Sequence, residues 1–288
     1  MLTQVQRFWS RDRAHAYSTV EVPAARCRGS LYRLPMSGNV DDAGLMALCE
    51  GVVDAVEAAL GAVEDWTRRT SRPGQYVVDL VADRAALGVL AGEGVGVLSE
   101  ESGIHGAGSA VMAVLDPLDG STNASRRLPW YATSICMVDA EGPRVSLVAN
   151  LASGVRYRAI RGSGAWRDGA RITASGCSSL QSAIVALSGF PPRRAPWAQF
   201  RALGAAALDL CSVADGTLDA FAVVGESSLG AWDYLGGLLI CTEAGASVAE
   251  MAGRDLVDLD QERRRAPVAA ATARLLAELM SQYDSTAI

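Results

Sequence analysis

Two side chains that enzymes often use in catalysis are scarce or missing in this chain. Every one of its 26 basic residues is arginine, so lysine is absent, and its only histidines are His15 and His105. The absence of lysine excludes a phosphate-binding loop built on that residue, Schiff-base chemistry and serine–lysine dyads. Two imidazoles are too few for a histidine-rich zinc site. Any chemistry at this protein's site is therefore expected to depend on carboxylates.

Closely spaced cysteines and long apolar segments are missing as well. The six cysteines are far apart and form no CxxC pair, which excludes a zinc knuckle or redox dithiol and favours reduced thiols in the core. No apolar run approaches the ~18 residues of a membrane span. The first residues contain no apolar segment typical of a secretory signal. These absences predict a cytoplasmic protein without a membrane partner.

The composition is typical of a folded globular protein. The chain has 288 residues, 50% of them hydrophobic and 20% charged, with a net charge of −6. Such an acidic chain offers no basic surface for nucleic acid. Its length predicts about two compact units. We expect an N-terminal extension over residues 1–40, a metal-binding half over 41–182 and a smaller α/β half over 183–288, with the two halves integrated into one domain.

The apolar pattern predicts a mixed α/β fold. A helix is expected to start at Asp41 or Asp42 and to end before residue 72. A strand over 76–81 and a helix from 83 to about 90 are expected next. Short strands separated by glycine turns then indicate a mainly antiparallel sheet. In the second half strands alternate with helices, including a helix over about 197–213.

Acidic residues gather where predicted strands end. Glu100 follows one apolar strand, and Asp116 and Asp119 follow another. A proline and Leu118 separate the two aspartates, so both carboxylates and the carbonyl between them can converge on one point. Magnesium typically takes one or two carboxylates together with water and substrate phosphate. The sequence therefore predicts a metal site, although this stretch alone leaves open a plain turn with surface acids.

A small polar stretch, Gly120-Ser121-Thr122-Asn123, follows the second aspartate. It can begin a helix, whose free N–H groups would hold phosphate oxygens. Clustered carboxylates repel an anionic substrate unless cations lie between them. The metal and the phosphate predictions therefore support each other.

The run from Asp116 to Asn123 resembles the first signature of the inositol monophosphatase family, a magnesium-dependent, lithium-sensitive superfamily that also includes fructose-1,6-bisphosphatases. Its second signature is matched by Trp232-Asp233 and the small-residue segment up to Glu243-Ala244-Gly245. Glu100-Glu101-Ser102 and the block from Asp79 to Asp83 match two further motifs. The four blocks lie in the family's order between about residues 41 and 265.

This resemblance implies a phosphatase with a layered αβαβα fold, two or three Mg²⁺ ions and usually a homodimeric assembly. Glu100 and Ser121 would position the attacking water, and the N–H groups of Gly120 and Ser121 would bind phosphate. Carried over residue by residue, the metal ligands are Glu100, Asp116 and the Leu118 carbonyl for a first ion, Asp116, Asp119 and Asp233 for a second, and Asp83 with Glu100 for a third.

The resemblance also implies a small phosphorylated polyol or sugar as substrate. Glu226 matches a carboxylate that accepts hydrogen bonds from a polyol hydroxyl, and Gly204, Ala205 and Ala206 match the pocket wall. Fructose-1,6-bisphosphate, histidinol phosphate or a phosphate ester of a specialised pathway are the alternatives. A catalytically silent homologue that acts as a binding protein is an alternative of a different class. The retained acidic ligands argue against it, because a binding module has no reason to keep mutually repelling carboxylates.

Overall fold

The computed structural model describes residues 41–191, 195–225 and 228–284. Within these ranges the α-helices are α1 (Asp42–Gly61), α2 (Val77–Leu90), α3 (Ser121–Ser125), α4 (Ala206–Ala214), α5 (Ala231–Glu243) and α6 (Ala273–Asp284). The strands are β1 (Gly96–Ser99), β2 (Gly103–His105), β3 (Met112–Asp119), β4 (Ala132–Asp139), β5 (Gly142–Asn150), β6 (Arg156–Ile160), β7 (Gly164–Arg167), β8 (Ala170–Arg171), β9 (Ile184–Ser188), β10 (Gln199–Arg201), β11 (Ala220–Val223), β12 (Ser247–Glu250) and β13 (Pro267–Ala270).

Two sheets alternate with three helical layers. The larger sheet has the order β2-β1-β3-β4-β5-β6-β7-β8, and the smaller has the order β10-β9-β11-β13-β12. Helices α1 and α2 cover one face of the larger sheet, α4 and α5 lie between the two sheets, and α6 covers the outer face of the smaller sheet. The layered αβαβα arrangement expected from the sequence is confirmed.

Alternation along the central strands divides the core between two faces of the larger sheet. On β3, Ala113 and Leu115 face the α1–α2 layer, whereas Val114 faces the α4–α5 layer. Because successive side chains of a strand point to opposite faces, both layers can be packed with apolar residues. The central strands are therefore buried on both sides and hold the ends of β1 and β3 in fixed positions.

Two consecutive glycines let the shared helical layer approach its neighbours closely. A Cβ atom on Gly236 would lie 2.5 Å from Ser134 Oγ on β4, and one on Gly237 would lie 2.6 Å from Leu210 Cβ on α4. The Ser146 hydroxyl also donates to the Gly236 carbonyl at 2.7 Å. Helix α5 is therefore packed directly on both the larger sheet and α4, which fixes the position of its first turn.

Several predicted elements need correction. Residues 76–81 do not form a strand, because α2 already begins at Val77. The predicted helix over 197–213 is wrong in its first half, where the chain instead forms the edge strand β10 and a loop before α4. The first helix does begin as predicted, with Asp41 Oδ1 accepting from Gly44 N at 2.8 Å, but it ends at Gly61.

Two expectations about the chain's chemistry can be compared with the described residues. The five cysteines in the described ranges are all free thiols, and four of them are buried, as predicted. None of the described helices combines the length and apolar character needed to cross a bilayer. The extension predicted over residues 1–40 lies outside the described residues, and the division of the chain near residue 182 stays a prediction.

Candidate metal and phosphate site

Strand pairing brings the first two predicted acids together. Strands β1 and β3 are parallel, with Ser99 paired to Leu115 at the end of the ladder. The next residue on each strand is therefore Glu100 or Asp116, and Glu100 N donates to the Leu115 carbonyl at 3.1 Å. Two acids that are distant in sequence thus lie side by side at the carboxyl ends of neighbouring strands.

An irregularity in β3 separates Asp116 from Asp119. The pairing with β4 shifts by one residue between them, at a point where Pro117 has no N–H for the ladder. Asp116 Oδ1 accepts from Leu118 N at 2.9 Å, and the Thr133 hydroxyl donates to the Pro117 carbonyl at 2.9 Å. These bonds fix the Asp-Pro-Leu-Asp turn locally.

The second half of the chain contributes the remaining acid from the first turn of α5. Asp233 is the third residue of that helix, and its Oδ2 accepts from Gly230 N at 2.6 Å. This backward bond satisfies an N–H group that the helix itself leaves free. The close packing of α5 on the sheet therefore determines where the Asp233 carboxylate lies.

Three of the predicted ligands converge. Carboxylate oxygens of Glu100, Asp116 and Asp233 all lie within 4.8 Å of one another. Burial, followed by repulsion from neighbouring carboxylates, raises the pKa of Glu100 and moves the pKa of Asp116 well above its usual range. Burial and then Asp119 raise the pKa of Asp233. Without a cation, these acids are expected to retain protons at neutral pH.

Asp119 lies beside this cluster, and one of its two carboxylate oxygens already accepts a hydrogen bond. Its Oδ2 accepts from Ala207 N at 2.8 Å, at the start of α4. Burial, opposed by this bond, raises its pKa, and the Asp209 and Glu100 carboxylates raise it further. Asp119 therefore connects the larger sheet to the shared helical layer.

The structure distinguishes the two aspartates of α2. Asp83 Oδ1 accepts from the Ser99 hydroxyl at 2.5 Å. Asp79 accepts from Tyr76 N at 2.7 Å through Oδ2, but its Oδ1 is buried and has no hydrogen-bond partner. Only 3% of Asp79 is exposed. Its unpartnered buried oxygen is therefore the atom of α2 that most needs a ligand.

Asp79 also faces the other site residues. Burial above all, and Glu101 to a smaller extent, raise its pKa to about 7 against the opposing effects of the Tyr76 N–H and the Ser121 hydroxyl. The Ser121 hydroxyl makes no hydrogen bond to Oδ1. The carboxylate of Asp79 in turn raises the pKa of Glu100. Sequence reasoning assigned the third-ion role to Asp83. The sequence feature that could have identified Asp79 is its place three residues after Tyr76, the N-cap residue of α2. From this position a carboxylate can reach back to the N–H group of the N-cap residue.

The predicted phosphate-binding stretch has a backbone that only glycine fits well. Gly120 has φ +83°, and a Cβ there would lie 3.0 Å from the Trp130 carbonyl and 3.1 Å from Ala205 Cβ. Asn123 Nδ2 donates to the carbonyls of Trp130 at 2.8 Å and Leu203 at 2.7 Å. The turn that carries Ser121 is thereby tied to the segment before α4.

A cavity of about 560 Å³ opens beside the acids. The predicted pocket residues Gly204, Ala205 and Ala206 line it together with Asp119 and Asp233. Glu226, the predicted hydroxyl acceptor, lies outside the described residues. The structure therefore brings the predicted pocket wall next to the acids, while the role of Glu226 stays a prediction.

Sequence reasoning did not resolve the role of Asp209, which lines the same cavity. It is 1% exposed, and its Oδ1 accepts from Trp130 Nε1 at 2.9 Å. Burial raises its pKa to about 7, opposed by that bond. Asp209 thus combines a structural contact to Trp130 with a position on the cavity wall.

The donor set suits a hard divalent cation. It consists of the buried carboxylates of Glu100, Asp116 and Asp233, whose pKa values are raised, and an ion between them would relieve their repulsion. Oxygen-only ligands favour magnesium, manganese or calcium over zinc and copper. The residues present therefore fit the magnesium that the sequence suggested.

Comparison with known proteins agrees with this geometry. A sequence profile described as the inositol monophosphatase family matches residues 75–285. A fructose-1,6-bisphosphatase/inositol-1-monophosphatase of Archaeoglobus fulgidus is 38% identical over 182 residues, covering 62% of this chain and 71% of that protein. A Nus factor SuhB of Salmonella typhimurium is 36% identical over 173 residues, or 54% of this chain and 63% of that protein. A Pyrococcus horikoshii protein, described as hypothetical with similarities to inositol-1 monophosphatase, superposes with a TM-score of 0.71 at 25% identity, covering 82% and 95% of the two chains.

Proposed function

Because the chain belongs to the inositol monophosphatase family, we propose that it is a magnesium-dependent phosphatase that hydrolyses a small phosphate monoester, with a phosphorylated polyol or sugar as the substrate class. The observation that carries this proposal is the convergence of Glu100, Asp116 and Asp233 within 4.8 Å. Mutually repelling buried carboxylates are costly to maintain, so their retention supports a role that requires cations.

Each site residue has a role in this proposal. Glu100, Asp116 and Asp233 would hold metal, with Asp119 and the Leu118 carbonyl completing the ligand set and Asp83 as the further ligand that the family resemblance implies. When bound, the ions would neutralise phosphoryl oxygens, lower the pKa of a water molecule and stabilise the leaving alkoxide.

The remaining residues would orient the reactants. Glu100 and the Ser121 hydroxyl would position the attacking water, and the N–H groups of Gly120 and Ser121 would donate to the phosphate. We add Asp79 to this set, because its unpartnered Oδ1 is buried and Ser121 lies close enough to lower its pKa. Gly204, Ala205 and Ala206 would contact the alcohol part of the substrate.

The test is phosphate release from a panel of sugar, inositol, amino-alcohol and nucleotide phosphates, with and without Mg²⁺, beside the Asp116→Asn variant as a matched blank. We expect the wild-type protein to release phosphate from at least one substrate, only with the metal and not in the variant. If folded wild-type protein releases no more phosphate than Asp116→Asn on every substrate, the proposal is wrong.

A second candidate function is binding without catalysis. The similarity to a protein named Nus factor SuhB supports it, and the same assay distinguishes the two, since a silent homologue would show no magnesium-dependent release. The homodimer and the cytoplasmic location expected from the sequence stay predictions.

A further inference from the structure

Two neighbouring cavities form one extended cleft next to the acids. The cavity of about 560 Å³ contains Asp119 and Asp233 in its wall, together with Pro191 and Phe200. A second cavity of about 620 Å³ is lined by Pro191 and Phe200 as well, and also by Trp197, but by none of the acids. Because Pro191 and Phe200 belong to both walls, the two cavities adjoin at these residues, and we call them together the cleft.

Aromatic side chains line both cavities of this cleft, with Phe190 in the first, Trp197 in the second and Phe200 in both. Phe190 and Phe200 are 92% and 51% exposed, although both line the cavity beside the acids. The rings of Trp197 and Phe200 lie 6.3 Å apart at an angle of 59°, within the range of interacting aromatic pairs. Exposed aromatic surface of this kind, continuous with a cavity, is typical of a binding site.

The backbone holds Phe200 in place. It lies on β10, which pairs in parallel with β9 so that Phe200 is opposite Val185. Since Val185 is fully buried in the core under β9, the edge strand rests on a rigid neighbour. Phe200 is thus presented to the cleft by the sheet rather than by a loop alone.

Much of the described inner wall is apolar. Among the described residues, the side chains along the first cavity other than the acids and Ser188 are apolar, and they include Leu187, Ala202 and Leu229. A flat apolar group would gain contact with such a wall.

Building on the proposed function, we infer that the alcohol part of the substrate carries an aromatic ring that binds in the cleft segment lined by Phe190, Trp197 and Phe200, while its phosphate faces the acids. The inference narrows the proposed small phosphate monoesters to those whose alcohol part, polyol or not, carries an aromatic group. Its hydrolysis consumes one water and releases the alcohol and inorganic phosphate.

The first test compares 3-phenylpropyl phosphate with propyl phosphate and glycerol 1-phosphate, which share a primary alkyl ester. We expect kcat/KM to be at least about tenfold higher for the phenyl compound, from the area that the ring would bury. Phe200→Ala and Phe190→Ala should lower the ratio of phenylpropyl to propyl activity. Ile104→Ala, which removes an exposed apolar side chain on β2, should leave that ratio unchanged. Equal kcat/KM for the three esters would overturn the inference while leaving the proposed function intact.

The second test does not require turnover. Binding of 3-phenyl-1-propanol to the magnesium-free protein is followed by ligand-observed NMR, with the same three variants. Saturable binding that Phe200→Ala and Phe190→Ala both weaken, and Ile104→Ala does not, would support the inference even if no phosphatase activity were found. Absence of binding by the wild-type protein would overturn it. So would self-association that Phe200→Ala abolishes without any ring preference, because the aromatics would then belong to an interface between copies.

Discussion

At the scale of single residues, Asp116 is the central acid of the cluster. It is 1% exposed and adjoins both Glu100 and Asp233. We expect Asp116→Asn to lower magnesium-dependent turnover by roughly a thousandfold or more, since a bound ion supplies several kcal/mol of transition-state stabilisation. The metal-free variant should be more stable than wild type at pH 8, because the folded protein no longer has to hold a buried carboxyl group that is either protonated or charged. Phosphate release and urea unfolding in EDTA measure the two effects, and unchanged turnover would contradict the assignment of Asp116 as a ligand.

The two aspartates of α2 provide a matched pair of variants. Asp79→Asn should weaken magnesium binding about 10- to 100-fold, a cost comparable to losing a group that supports a metal site. Asp83→Asn should weaken magnesium binding less, because Asp83 Oδ1 already accepts from the Ser99 hydroxyl, and should cost about 1 kcal/mol of stability by weakening that bond. Titration calorimetry with Mg²⁺ and thermal unfolding measure these outcomes. The reverse pattern would make Asp83 the more important metal ligand of the two.

The position of most of the acids could be predicted from the sequence for a physical reason. Strand ends are visible as apolar runs that stop, and Glu100, Asp116 and Asp119 follow such runs directly, so their position at the sheet edge could be inferred. The distinction between Asp79 and Asp83 could not. It depends on which turn of a helix faces the sheet, and the residues Val77, Val78 and Val81 are as compatible with a strand as with a helix.

At the scale of elements, the approach of α5 to the larger sheet controls the site. Gly236→Ala would place a Cβ 2.5 Å from Ser134 Oγ, and the helix that carries Asp233 would have to shift. We expect a loss of about 1–3 kcal/mol in stability together with weaker magnesium binding. Gly88→Ala in α2 is the control, since a Cβ there meets nothing within 4 Å, and it should gain about 0.5–1 kcal/mol. If both variants kept wild-type stability and magnesium affinity, the close packing would not position Asp233.

Elements whose apolar residues recur with one clear helical or strand period were predicted correctly. Elements whose apolar residues do not follow one such period were not. Helix α1 follows a regular apolar pattern and begins where the sequence predicted, whereas residues 197–205 contain Trp197 and Phe200 at helical spacing. In the structure these aromatic residues belong to an exposed edge segment, so the apolar spacing did not indicate burial. Pairing of β10 with β9 is a long-range interaction that local pattern cannot reveal.

At the scale of the whole molecule, the acids make the stability of the metal-free protein depend on pH. Burial raises the pKa of Asp79 and Asp209 to about 7 and that of Glu100 to about 8. The folded protein therefore binds protons more tightly than the unfolded chain, whose acids titrate near pH 4. The stability that these acids contribute should therefore be fully present below about pH 4 and be lost, on the order of a few kcal/mol, as the pH rises to 8.

Magnesium should reverse this trend. An ion that binds only the folded state adds about 2.7 kcal/mol at a concentration one hundred times its Kd, and binding strengthens as the carboxylates lose protons. Urea unfolding at pH 5 and pH 8, in EDTA and in Mg²⁺, measures both effects. Stability that rises from pH 5 to pH 8 in EDTA would contradict the burial of these acids.

The arrangement of acids along the chain has a consequence for synthesis on the ribosome. Glu100, Asp116 and Asp119 belong to the larger sheet, but Asp233 arrives only with α5, which packs between the two sheets. A nascent chain halted before residue 231 would carry three of these carboxylates without the fourth. Binding of the proposed cation by all four carboxylates would therefore come only after the carboxyl-terminal layers have docked.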